Sequence, residues 1–240
     1  MLAGELMLKN GAETYRVEDT VTRIARGYHI SHVNVFVTPT AIITTMQGDE
    51  EVMDHTELLR VTERTIDLHK VSLVNDVSRQ ITSNPISPET VKQKLQDIDQ
   101  STPTFPYWIH ISAAAVASGC FTIMFNGTWP DFLPAFIVGA IGYAVFQKGQ
   151  QLVNVKFFSE LLASFVIGIV AVFLITVGAG QHLDKIIIGS VMPLVPGLAI
   201  TNAVRDLMAG HLLSGLSRGA EALLTAAAIG SGIAVVITFL

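Results

Sequence analysis

Residues 190–221 read SVMPLVPGLAITNAVRDLMAGHLLSGLSRGAE. The stretch opens as an apolar helix, meets Pro193 and Pro196, and then acquires polar residues. Proline has no N–H and clashes with the carbonyl four residues back. The carbonyls of Gly189 and Met192 are therefore expected to lose their helical partners. At membrane depth such groups are tolerated only where protein or a water-filled cavity surrounds them. Interrupted apolar helices of this kind point to transporter binding sites. Beyond Gly197, Thr201 and Arg205 are four apart, as are Asn202 and Asp206, so each pair shares a helix face. Two readings follow: a polar track for a small charged solute, or a helix end with Arg205 anchoring at the interface and Asp206 solvated beside it.

Outward from this stretch, composition divides the chain of 240 residues. Residues 1–104 hold 10 of its 15 Lys and Arg and 15 of its 20 Asp and Glu; residues 105–240 hold 5 and 5. The division predicts an N-terminal soluble α+β domain (1–104), and a polytopic α-helical membrane domain (105–240), with the boundary near residues 101–106. The net charge of −5 resides wholly in the first part, which argues against nucleic-acid binding. Glu5, Lys9, Glu13 and Arg16 leave no apolar run near the start, so no signal peptide is expected. The single cysteine, Cys120, is expected to be a packed, inert thiol.

In the soluble part, residues 2–10 predict a short helix broken at Asn10-Gly11. Val17, Val21, Ile24, Ala25 and Tyr28 form one apolar stripe of a helix over 13–28. Residues 33–37 and 41–45 predict strands joined at Thr38-Pro39-Thr40, and 58–62 a third. Asp49-Glu50-Glu51 reads as a solvated loop. A helix is expected over 66–81, and Ser87-Pro88-Glu89 predicts the start of another. The chain lacks GxxxxGK(S/T), HExxH, GxSxG and CxxC patterns. His29 and His32 have no ligand companions at metal spacing. No enzyme, catalytic residue, metal or cofactor is expected.

In the membrane part, five apolar segments predict five transmembrane helices: 107–125, 133–146, 158–179, 185–204 and 220–240. Lys148, Lys156, Lys185, Arg205 and Arg218 set the orientation. Placing the soluble domain in the cytoplasm puts four of these five inside, and the C-terminus then faces out. Ala113 and Ala117, Ala114 and Ser118, and Ala226, Gly230 and Ala234 permit close helix approach, within the chain, to a partner, or in a homo-oligomer. His110, Glu160, Asp206 and Glu221 are the ionisable groups in or beside spans and are candidates for proton coupling.

Residues 11–18 (GAETYRVE) and 35–40 (VFVTPT) resemble the opening of the bacterial threonine/serine exporter family. Pro193-Leu194-Val195-Pro196-Gly197, Asn202 to Gly210 (NAVRDLMAG) and Ser214-Gly215 look like that family's membrane signature. The resemblance covers about residues 2–238. It implies an exporter in the bacterial inner membrane, driven by the proton motive force rather than ATP, with a cytoplasmic N-terminal domain. It further implies that this chain is one half of a split form that needs a second small membrane subunit. Split relatives are linked to dicarboxylates such as succinate rather than to threonine and serine. On signature and helix physics together, Ser190, Pro193, Pro196, Gly197, Thr201, Asn202, Arg205 and Asp206 are the candidate substrate-binding residues. The rival function is a membrane-anchored sensor or interaction module whose spans only tether the soluble domain.

Overall fold

Gly11 has φ +92°, which an L side chain rarely adopts, and it ends the first helix by reversing the chain. Helix α1 (Leu2–Lys9) and helix α2 (Thr14–Gly27) flank this turn. The computed structural model describes residues 1–30, 32–47, 54–83, 86–101, 105–152, 155 and 157–239. The Asp49-Glu50-Glu51 run, Lys156 and part of the expected domain boundary lie outside the described residues. The chain divides into two compact units. The first comprises Met1–Thr104 with Ala199–Gly219, the second Phe105–Leu198 with Ala220–Leu240.

In the first unit, β1 (His32–Thr38), β2 (Ala41–Gln47) and β3 (His55–Arg60) form an antiparallel sheet in that order. Thr38 pairs with Ala41, so Pro39 and Thr40 make the two-residue turn. Val37 and Ile42 face each other across the strands and are buried, together with Leu6, Met7 and Val17. This is the face that α2 covers with its apolar stripe. The third strand lies earlier than expected, because β2 recruits His55–Arg60 into its ladder. Helix α3 (Leu68–Ser83) starts after Asp67, whose Oδ1 accepts the N–H groups of His69 and Lys70 at 3.1 Å each. Helix α4 (Pro88–Gln100) is capped as expected: Thr90 N–H donates to Ser87 Oγ at 3.2 Å.

In the second unit, α5 (Tyr107–Met124), α6 (Trp129–Leu152) and α7 (Phe158–Thr176) pack with α8 (Leu183–Val191). A 3₁₀ turn (Met192–Leu194) follows; next in the chain come α9 (Gly197–Met208), most of which belongs to the first unit, and α10 (Leu212–Phe239), whose first eight residues do. Among the described residues four helices, α5, α6, α7 and α10, are long and apolar enough to cross a membrane; the α8–α9 pair, bent by 61° at its break, would make a fifth if it is one span. Helix α6 is longer than the apolar run of 133–146, because Pro130 sits in its first turn, where proline is tolerated. Helix α10 starts eight residues before the expected span. Its 28 residues extend about 42 Å, more than the ~30 Å hydrocarbon layer.

Helices in this unit approach closely at glycines. A Cβ on Gly142 would meet Ile167, one on Gly139 would meet Ser118, and one on Gly232 would meet Leu161 O at 2.5 Å. Ala114 and Ser118 are buried as small-residue packing requires, whereas Ala226, Gly230 and Ala234 are exposed. Cys120 is exposed rather than packed, which corrects the expectation. A small apolar thiol can sit on an outer helix surface because lipid tails, unlike water, do not drive it inward.

Candidate functional site

The interruption at residues 192–196 takes a different form from the one expected. Met192 N–H donates to Gly189 O, and Val195 N–H donates to Met192 O at 3.2 Å. Both carbonyls that the prolines abandon are thus taken up three residues on, by 3₁₀ tightening. They are not left for water or solute. The helix stops because Val195 is extended (φ −62°, ψ 129°), as a residue preceding proline prefers. Ser190 is buried and donates to Ala135 O at 3.3 Å. Pro193 and Pro196 are half-buried, and Gly197 is exposed.

A second constellation is built in the first unit, on the turn at Asn10–Thr14. Helix α2 has no side-chain cap of its own from Glu13. Its first N–H groups need an outside acceptor. Asp206 supplies it: Thr14 N–H donates to Oδ1 at 3.1 Å and Thr14 Oγ1 donates to Oδ2 at 3.0 Å. A carboxylate there also meets the positive end of the helix dipole. Asp206 is 0% exposed. Arg218, from the first turns of α10, balances its charge with Nε 3.3 Å from Oδ2, and its Nη2 donates to Ala12 O at 2.8 Å. Asn202 Nδ2 donates to Gly11 O at 3.1 Å. Arg205 Nη1 pairs with Glu13, which also holds Arg16 at 3.1 Å.

Glu18 of α2 and Ser214 of α10 seal the edge of the sheet. Val37 N–H donates to Glu18 Oε1 at 3.1 Å, and Ser214 Oγ donates to Val37 O at 3.2 Å. His211 Nε2 lies 3.7 Å from Glu18 Oε2. Burial pushes the Glu18 carboxyl above its ordinary 4.5, and the Asp206 charge adds to this, while the Val37 N–H and His211 pull the other way. A folded-state value above the unfolded one means that Glu18 favours the fold most below about pH 4.5. That contribution is lost as pH rises through the raised value. Glu18→Gln keeps an acceptor for Val37 and removes the titration. Thermal unfolding followed across pH should therefore show a downward slope in wild type that flattens in the variant.

The spacing argument holds in part. Asn202 and Asp206 do share a face, and that face is buried. Thr201 and Arg205 share the other, with the Arg205 side chain 58% exposed. Asp206 is not a solvated helix-end acid. The residues that sequence reasoning missed are Glu13, Thr14, Glu18, His211 and Arg218. Glu13, Thr14 and Glu18 lie within the GAETYRVE stretch, the one signal that could have marked them. Among the proton-coupling candidates, His110 is half-buried with its ring 6.5 Å from Phe105, and Glu160 and Glu221 are half-buried in α7 and α10. Of these candidates, Asp206 belongs to the constellation around Thr14.

Another missed cluster lies in the second unit. Asp131, 0% exposed, accepts from Thr128 at the start of α6 and from Gln181 and His182 before α8. The pattern Thr128-x-x-Asp131 is a capping-box arrangement, and it was legible as such.

Comparison with known proteins adds the following. A family model described as "Putative threonine/serine exporter" matches residues 1–240. A "Probable threonine/serine exporter" of Mycobacterium tuberculosis is 22% identical over 229 residues, which cover 95% of this chain and 43% of that protein. A "Probable succinate transporter subunit YjjP" of Klebsiella aerogenes is 24% identical over 97% of this chain and 89% of its own length. A "Threonine/serine exporter" of Corynebacterium glutamicum is 23% identical over 96% of this chain and 48% of its own length. The chain thus spans under half the length of the two exporters and most of the length of the subunit. No solved structure matches.

Proposed function

Because the chain belongs to the threonine/serine exporter family, we propose that it is one subunit of a secondary exporter of small polar metabolites, driven by the proton motive force. Its cargo would be amino acids of the threonine/serine type or dicarboxylates such as succinate. A second small membrane subunit would supply the other half of the pathway, which accords with the chain spanning 43% and 48% of two exporters but 89% of a transporter subunit. The chain is a multi-pass membrane protein. We place the N-terminus in the bacterial cytoplasm and the C-terminus outside, on the distribution of loop charges.

The observation that carries this reading is the interrupted apolar helix at Val195 in a chain matched from end to end by an exporter family. Ser190, Pro193, Pro196, Gly197 and Thr201 flank the interruption and are proposed to line the path. Arg205 is proposed to meet the cargo carboxylate. Its guanidinium is largely exposed and is held by Glu13, so a substrate carboxylate would compete with Glu13 for the same donors.

The test is efflux of threonine and of succinate from cells lacking this chain, complemented with it, with and without the partner subunit. Arg205→Ala should lower efflux at least about tenfold, the loss of a charge-assisted contact. Protein abundance in the membrane should be unchanged, since an exposed ion pair contributes at most about 1 kcal/mol to stability. Full efflux by Arg205→Ala would reject the role assigned to it. One observation favours the tethered-sensor reading: Asn202, Arg205 and Asp206 are all engaged within the first unit. That reading requires cargo efflux to be indifferent to loss of the whole chain.

A further inference from the structure

Resting on the proton-driven reading, we propose that His182, oriented by Asp131, is the site at which the coupling proton is taken up from the outside, with Nε2 as the accepting atom.

The geometry begins at Asp131. Its Oδ2 accepts from Thr128 N–H at 3.0 Å, from Thr128 Oγ1 at 2.7 Å and from His182 Nδ1 at 2.9 Å. Its Oδ1 accepts from Gln181 N–H at 2.6 Å and His182 N–H at 3.0 Å. Five donors saturate a carboxylate that has no solvent exposure. Such a group has no need of a proton and accepts only, so the imidazole must present Nδ1 as its donor. The tautomer is thereby set, and Nε2 carries the free lone pair. The His182 side chain is 45% exposed, so that lone pair can exchange a proton with water. Uptake makes an imidazolium beside the buried carboxylate; release returns the neutral ring, and no other bond changes.

Side chains surround the preceding glycine: a Cβ on Gly180 would meet Ile186 Cδ1 at 2.6 Å and Asp131 Oδ1 at 3.5 Å. The loop is held to the carboxylate by the Gln181 and His182 N–H groups. The neighbouring charges, Asp184 and Lys185, pair with each other at 3.1 Å. The packed helices contribute few other titratable groups. On α5 these are Tyr107 and His110, at the opposite end of the helix, and the exposed Cys120. On α7 it is Glu160, also at the far end. On α6 they are Tyr143 and Lys148, 12 and 17 residues beyond Asp131. At about 1.5 Å per residue these last two lie at least about 18 Å along the helix.

The position suits an outer entry point. Helices α5 to α8 alternate in direction, so the turns after α5 and after α7 lie at the same end of the bundle. That end is opposite to the one where residue 105 enters. With the N-terminus inside, His182 meets the external solution, where the proton motive force delivers protons.

The test measures threonine and succinate efflux from cells carrying the full chain and its partner, at fixed internal pH and external pH stepped between about 5.5 and 7.5, the range in which histidine titrates. Wild type should vary several-fold. His182→Asn places an amide N–H where Nδ1 was, so Asp131 keeps its donor and the loop its anchor, but nothing titrates. It should reach the membrane at wild-type abundance and give a profile that is flat within twofold. His182→Lys, with a fixed charge, should be equally flat. A purely structural pin would leave the pH profile of His182→Asn like that of wild type, and that outcome overturns the inference alone. Absence of any wild-type efflux overturns the export reading and this one with it. Flattening against internal rather than external pH overturns the outward assignment.

Discussion

Asp206→Ala should be the most destabilising single substitution in the first unit. It removes the acceptor for Thr14 N–H and Oγ1, leaving the start of α2 uncapped in a buried setting. It also removes the carboxylate that lies 3.3 Å from Nε of the buried Arg218. Removing one partner of a buried pair typically costs 3–5 kcal/mol, roughly the range expected here. The comparable change on the exposed face, Arg205→Ala, should cost less than about 1 kcal/mol. Thermal unfolding of the purified protein in detergent, with limited proteolysis at the Asn10–Thr14 turn, reads both. Asp206→Asn should fall between, because one carbonyl oxygen can still accept from Thr14. The double variant Asp206→Ala/Arg218→Ala should be less damaged than the sum of the singles, since the two side chains are in contact and their losses overlap. Wild-type stability in Asp206→Ala would mean that this carboxylate is not the cap it is taken to be.

In the second unit the largest effect is expected at Gly189. A Cβ there would meet Thr122 Oγ1 and, at 2.7 Å each, Ser118 O and Thr122 N. The last two are backbone atoms of α5, which cannot rotate aside. Gly189→Ala must push α8 away from α5 along their shared contact. Forcing one extra methyl into a packed interior usually costs about 1–3 kcal/mol, and a backbone obstacle belongs at the upper end. Loss of the Thr122 Oγ1 to Lys185 O contact, 3.3 Å, would follow. The measure is yield of monodisperse protein and its unfolding temperature. Gly230→Ala is the control: that glycine lies mid-helix in α10 with open space around it, so alanine should be neutral or stabilise by up to about 1 kcal/mol. Equal damage at both positions would show that helix propensity, not close approach, governs these glycines.

Much of the fold was readable because its signals are local. The stripe of α2, the Ser87 cap and the Thr38–Ala41 turn each depend on residues within a few positions, and they stand where expected. The faces of α9 were readable for the same reason. What Asp206 faces was not, because Thr14 is 192 residues away. Composition and packing divide the chain differently in one respect. Residues 199–219 lie in the apolar part of the sequence, yet they group with the charged first unit. Leu207, Leu212, Leu213 and Leu216 make the stretch look like membrane, while Asn202 and Asp206 on α9, and Ser214 and Arg218 on α10, each pair one helical turn apart, are the buried polar residues. The abandoned carbonyls at Gly189 and Met192 were misjudged because proline's effect was read on an α-helical ladder. A 3₁₀ turn satisfies the same groups with donors three residues on.

The long-range capping of α2 also constrains how the chain is made. Residues 1–104 leave the ribosome about a hundred residues ahead of Asp206, Ser214 and Arg218. At roughly 5–20 residues per second that is a wait of about 5–20 seconds. During it, Thr14 has no acceptor from Asp206, and the Val37 carbonyl on the outer edge of β1 has no hydroxyl from Ser214. The nascent N-terminal portion must therefore remain unfinished until the fourth apolar segment has been synthesised, so maturation of the charged part is tied to the progress of translation through the apolar one.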